Sequence, residues 1–133
     1  MLFRSWSSVR FTVWHIVDVT EGWLRTLANE PDQDTPPESE VATPDAAAAV
    51  LDRAYRILDS LLPTLTAGIL ATPRTISRRG RTAVLPPWVV LRHIINHTTY
   101  HRGQVASKLK RFGVQQAETD LVFWAREQVP QTT

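Results

Sequence analysis

Apolar side chains recur every three or four positions along three stretches of the chain, the spacing that lines one face of an α-helix. The first carries Val9, Val13, Ile16, Thr20, Trp23, Leu24 and Leu27, and predicts a helix of roughly five turns over residues 8–28 with Ser7 or Ser8 as its cap. Thr43-Pro44-Asp45 opens the second with a capping hydroxyl, a first-turn proline and an acidic first turn. Ala47, Leu51, Ala54, Tyr55, Leu58, Leu61, Leu62 and Leu65 follow, so a long helix is expected over residues 44–70, kinked or broken near Pro63. Pro86-Pro87 start the third, whose stripe is Leu91, Ile94, Ile95, Val105, Leu109 and Phe112. Gly113 ends it, giving a helix over residues 87–112.

The segments between these helices read differently. Residues 29–42, NEPDQDTPPESEVA, hold three prolines and five carboxylates and read as an exposed connection that cannot join a core. Residues 75–85, TISRRGRTAVL, place short β-prone runs on either side of Arg79-Gly80 and predict a small hairpin. Arg74, Arg78, Arg79 and Arg81 form the one local basic cluster, either a solvated turn or a contact for phosphate or carboxylate. Residues 120–129, DLVFWAREQV, predict a short last helix with Leu121, Phe123 and Trp124 to bury. The fold class is therefore all-α with one hairpin. There is no internal repeat, no glycine-rich phosphate loop and no nucleophile elbow.

Composition narrows this picture. With 133 residues, 43% of them apolar, the chain is one domain's worth over residues 1–133. A formal charge of +2 is too weak a field to imply nucleic acid, and no aromatic residues interleave the arginines. The lack of cysteine excludes disulfides, thiolate ligands and a cysteine nucleophile, and leaves any metal to histidine and carboxylate. Without a signal-like start or about 18 uninterrupted apolar residues, a soluble cytoplasmic protein is expected, with no membrane contact.

The chemistry concentrates in LRHIINHTTYHRGQVASKLKRFG, residues 91–113. His93, His97 and His101 stand four apart, which at ~100° per residue moves each imidazole only ~40° around the axis, so all three share a face. His15, the fourth histidine, lies at the edge of the first helix's stripe. A pair one turn apart plus one imidazole from a facing helix suffices to hold a metal ion, with His97 and His101 expected to be half-buried. The competing account is a pH-sensitive polar seam. Asp18 falls on the His15 side of its helix and is either a solvated carboxylate or a group that orients an imidazole or faces a ligand. Gln104 projects near the His97 direction, within reach of a ligand or water, and Gly103 in mid-helix implies a close helix approach.

VWHIVDVTEGWLRTL (residues 13–27), HIINHTTYHRGQV (93–105) and DLVFW (120–124) together resemble the DinB-like family, a damage-inducible, YfiT-related group, in content and order. HxxxHRGQ, from His97 to Gln104, is the most specific mark, and the resemblance covers about residues 7–127. It implies a four-helix bundle, commonly dimeric, holding a divalent metal on one histidine of the early helix and two of the late one. Carried over by position these are His15, His97 and His101, with His93 left as a neighbour. Some relatives are metal-dependent transferases or isomerases acting with low-molecular-weight thiols; others have no established activity. The family pattern carries a further helix ahead of the segment matching residues 6–27, where only MLFRS stands here. Either the start is truncated, or a partner chain or the short last helix covers the face that helix would take.

Two functions follow as expectations. In the first, one divalent ion, zinc first and nickel second, sits on His15, His97 and His101 at roughly 2.0 to 2.1 Å and activates a low-molecular-weight thiol for transfer or isomerisation, with Asp18 or Gln104 positioning the substrate. In the second, a non-catalytic stress-response bundle uses the ion to staple its helices. A homodimer is expected in both, because the stripes carrying Trp14, Trp23, Leu58 and Ile95 exceed what one chain can cover.

Overall fold

The computed structural model describes residues 8–31 and 36–129. Its elements are α1 (Val9–Leu27), α2 (Pro44–Leu61), a single 3-10 turn (Leu62–Thr64), α3 (Ala67–Ala71), β1 (Arg74–Arg78), β2 (Arg81–Leu85), α4 (Pro87–Arg111) and α5 (Leu121–Gln128). Ser8 is the α1 cap, its Oγ accepting from Phe11 N, and Ser7 lies outside the described residues. Thr43 caps α2 by accepting from Ala46 N, with Pro44 in the first turn where its missing N–H costs nothing. Pro63 ends α2 as expected: the chain tightens into the 3-10 turn, and Thr66 caps a fresh short helix. The hairpin pairs Arg74 with Leu85, Ile76 with Ala83 and Arg78 with Arg81. Its two-residue loop has Arg79 at φ 51° and Gly80 at φ 71°, the left-handed geometry that matches strand twist.

α1 is the central element. Lys108 Nζ donates to Thr12 Oγ1 at 2.7 Å near the start of α1, and Trp23 near its end meets His93, so α4 runs antiparallel to α1. α2 runs parallel to it, for Val17 packs with Ala47 and Val50 while Leu27 packs with Leu61. A parallel pair needs a connection that returns along the helix, and residues 36–43 lie along its later part. Trp14 Nε1 donates to Pro36 O at 2.9 Å, and Arg10 pairs with Glu38. Val41 is consequently 3% exposed in the cluster of Val17, Ala47 and Val50. The expectation that residues 29–42 stay wholly outside the core is corrected there: one valine at the end of a polar run is enough to anchor the crossover.

A second cluster joins Leu27, Ile76 and Val90, with Trp23, Leu61, Leu85 and Ile94 against it, and this packs the hairpin onto the end of α1. Glu21 lies between the clusters at 1% exposure, its carboxylate accepting from Arg25 and from Arg53 of α2. It ties α1 to α2 by charge as well as by packing.

Two further expectations are corrected. A Cβ at Gly103 would meet nothing, so that glycine marks no close approach; the tight glycine is Gly22, where a Cβ would run into the Arg78 guanidinium. α5 does not bury its apolar residues: Leu121 is 75% and Trp124 60% exposed. Against the segment ahead of α5, at Gln115 and Ala117, lies an open apolar groove of about 740 Å³, floored by Ile16 and Leu24 of α1 and walled by Leu58 and Leu62 from the α2 side and Ile95 and Leu109 of α4. No helix among the described residues is long and apolar enough to cross a membrane.

Candidate metal centre

The antiparallel seam of α1 and α4 brings His15 against His97 and His101. One ligand nitrogen from each ring falls within 4.8 Å of the others, the single such group among the described residues. His15 and His97 face each other through their Nε2 atoms at 3.0 Å, and the ring centroids of His97 and His101 are 4.4 Å apart. Two nitrogens held at 2.0–2.1 Å on one tetrahedral ion would sit roughly 3.3 Å apart, so the gap already approximates a shared-ligand edge. His101 is buried, deeper than the half-burial expected of it, and His15 and His97 are half-buried.

The protonation states suit a cation. Burial first, then repulsion from His101, lowers the His15 pKa, although the Asp18 carboxylate opposes this. His97 is pushed down to about 4, by burial first and then by His101, His15, His93 and Arg78. Both rings therefore stay neutral with lone pairs to offer at neutral pH. His97 Nδ1 is buried without a hydrogen-bond partner, an arrangement that costs stability and is common where function outranks packing.

Gln104 lies 2.7 Å from His101 Nδ1 through its Oε1. The amide oxygen can only accept, so Nδ1 carries the proton and Nε2 is left as the lone-pair nitrogen. Gln104, two turns on from His97 along the same face, thus spends its amide oxygen on His101. The expectation for Asp18 is corrected. At 1% exposure it is neither solvated nor open to a ligand, and both its oxygens accept from Arg79 Nη2, at 2.7 and 2.9 Å. It holds the hairpin tip onto α1 while its charge still reaches His15.

The arginine cluster is not a merely solvated turn. Arg74 donates to Leu27 O at 2.6 Å, Arg79 clasps Asp18, and the Arg78 guanidinium sits 5.1 Å from the Trp23 ring centre. The carboxylate contact that the sequence left open is thus that of Arg79 on Asp18, and the particular partners were missed because they lie far away in the chain; the Arg-Gly turn between two β-prone runs was the one local signal. His93 is exposed and stands between Trp23 and His97 with ring centroids 5.5 Å from each, close to the trio but outside it.

The donor set fits a divalent ion: three imidazoles, two of them with depressed pKa and the third oriented by Gln104, no thiolate, and two of the three rings half-exposed. A model of the DinB family matches residues 3–132, and the chain belongs to that family. No curated protein matches it.

Proposed function

We propose that this member of the DinB family binds one divalent ion on His15, His97 and His101, zinc first and nickel second, and uses it to activate a low-molecular-weight thiol for transfer or isomerisation. The observation that carries the reading is the convergence of three imidazoles across the α1–α4 seam, with two Nε2 atoms 3.0 Å apart. An ion bound by three imidazoles keeps an open position and lowers the pKa of a thiol placed there. The chain's own residues do the rest. Gln104 fixes the tautomer and the rotation of His101, and the Arg79–Asp18 clasp fixes the hairpin beside His15. The nucleophile comes from the thiol, since the chain has no cysteine, and this suits a reducing cytoplasm.

A second copy of the chain covers the apolar groove in this reading. Each chain leaves Leu121, Val122, Phe123 and Trp124 of α5 exposed, together with Tyr55, Leu62 and Ile95 along the groove. Aromatic and large aliphatic side chains of this kind are the anchors that specific interfaces bury.

Elemental analysis of untagged protein tests the site, with one ion per chain as the expected result. Cobalt substitution then separates the two functional readings. A thiol-dependent change in the cobalt spectrum supports activation, and a spectrum indifferent to thiols supports an ion that only staples α1 to α4.

A further inference from the structure

Asp18 follows His15 by three residues on α1, close to one helical turn, so the two side chains lie on neighbouring parts of the same face. The carboxylate is not among the ligand atoms that converge at the trio, and any influence it has on an ion there is exerted through its charge. At 1% exposure that charge is little screened by water. Its sign is unusual in this neighbourhood. Beyond the effect of burial, His101, His15, His93 and Arg78 all disfavour a positive charge on His97, and His101, Arg79 and Arg78 do the same at His15. Asp18 alone among the groups acting on these two rings favours one.

The charge facing Asp18 comes from the hairpin tip. Arg79 Nη2 donates to both carboxylate oxygens, at 2.7 and 2.9 Å, from a side chain that is 57% exposed. Arg79 holds φ 51° at the first place of a two-residue turn, a position that Asn, Asp or Gly fills at less cost. The guanidinium thus reaches α1 from a backbone that an arginine does not favour, and its bond to Asp18 offsets that cost. The two charges do not cancel at the trio. Asp18 is buried and Arg79 is half in water, and at His15 the carboxylate outweighs the guanidinium.

We infer that Asp18 and Arg79 form a charge-setting pair for the metal centre, the buried carboxylate strengthening the hold of His15, His97 and His101 on a divalent ion and the guanidinium at the hairpin tip limiting it. The inference rests on the proposed metal site and adds its regulation. Neither residue bonds the ion. The hairpin tip becomes the control point, since whatever draws Arg79 away from Asp18 leaves the carboxylate unopposed and tightens the site.

Cobalt affinity of the full chain is measured by competition with a chelator at fixed pH and ionic strength. Asp18→Asn leaves the pair positive and should weaken binding by about tenfold. Arg79→Gln leaves it negative and should tighten binding by about threefold, the smaller change belonging to the more exposed charge. Asparagine and glutamine can still hydrogen-bond across the gap, so the hairpin tip stays held. The double variant is neutral again and should bind more tightly than Asp18→Asn, about threefold below the parent, while Arg79→Lys should match the parent. A clasp that only braces the hairpin gives a different pattern, with every loosened variant weaker than the parent and the double variant weakest. Weaker binding in Arg79→Gln than in the parent, or in the double variant than in Asp18→Asn, overturns the inference while cobalt uptake by the parent keeps the metal centre. A parent that takes up no cobalt overturns both.

Discussion

The two flanks of the α1–α4 pair are built on opposite terms. On one flank, polar and charged groups find partners within the chain: His15 meets His97, Gln104 holds His101, Arg79 clasps Asp18, and Arg74 reaches the end of α1. On the other flank lies the apolar groove, and Leu121 and Trp124 of α5 are likewise left exposed. Directional interactions have to be satisfied locally because each buried polar group needs a particular atom at a particular distance. Apolar surface has no such requirement and can wait for any partner of fitting shape. The finished flank is therefore where a site is expected, and the unfinished one where assembly is expected.

The strongest way to break this comparison is at the trio. His97→Ala or His101→Ala should take the protein from one bound ion per chain to none by elemental analysis, while His93→Ala, one turn along the same helix, should keep it. Loss from His93→Ala with retention in His101→Ala would sink the assignment. A smaller effect is expected one shell out. Gln104→Ala frees the His101 ring to rotate and change tautomer, and should weaken metal affinity by about 10- to 100-fold in a competitive chelator titration. Unchanged affinity would mean that packing alone orients His101.

The unfinished flank is probed by Ile95→Glu, which puts a charge on a residue already 59% exposed. The monomer fold should survive, and light scattering should show the solution mass fall by about half. A parent that is monomeric at micromolar concentration would dispose of the dimer. The smallest effect concerns pH. Because His97 is lowered to about 4, the unfolded chain binds more protons than the folded one between that value and the ordinary 6.5. Metal-free protein should hold its full stability above about pH 6.5 and lose part of it as the pH falls toward 4, read as a declining urea midpoint. In His97→Gln the decline should be shallower.

Local chemistry was legible in the sequence where the cause is local. The Ser8 and Thr43 caps, the break at Pro63, the Arg79-Gly80 turn and the helical register of His97 and His101 all depend on neighbours within about one turn. That register, with His15 on a second helix, narrowed the candidates to four rings, and the resemblance to the DinB-like family, not the spacing, set His93 aside. Long-range pairings were not legible. Nothing near Asp18 announces a guanidinium 61 positions later, and nothing in residues 29–42 says that Val41 will lie under a parallel helix. Periodicity also identifies an apolar face without saying what covers it. The Leu121–Trp124 stripe was accordingly expected in a core that this chain alone does not provide.

The parallel placement of α1 and α2 has a consequence for how the chain is made. α1 leaves the ribosome before either of the helices that hold it, and its main partner, α4, begins 60 residues after α1 ends. Until then the stripe of Val13, Ile16 and Trp23 has no permanent cover, and the histidine of α1 has no companions. Docking must then close long loops at once, which slows folding and lengthens the interval in which a chaperone or a stray apolar segment can capture α1.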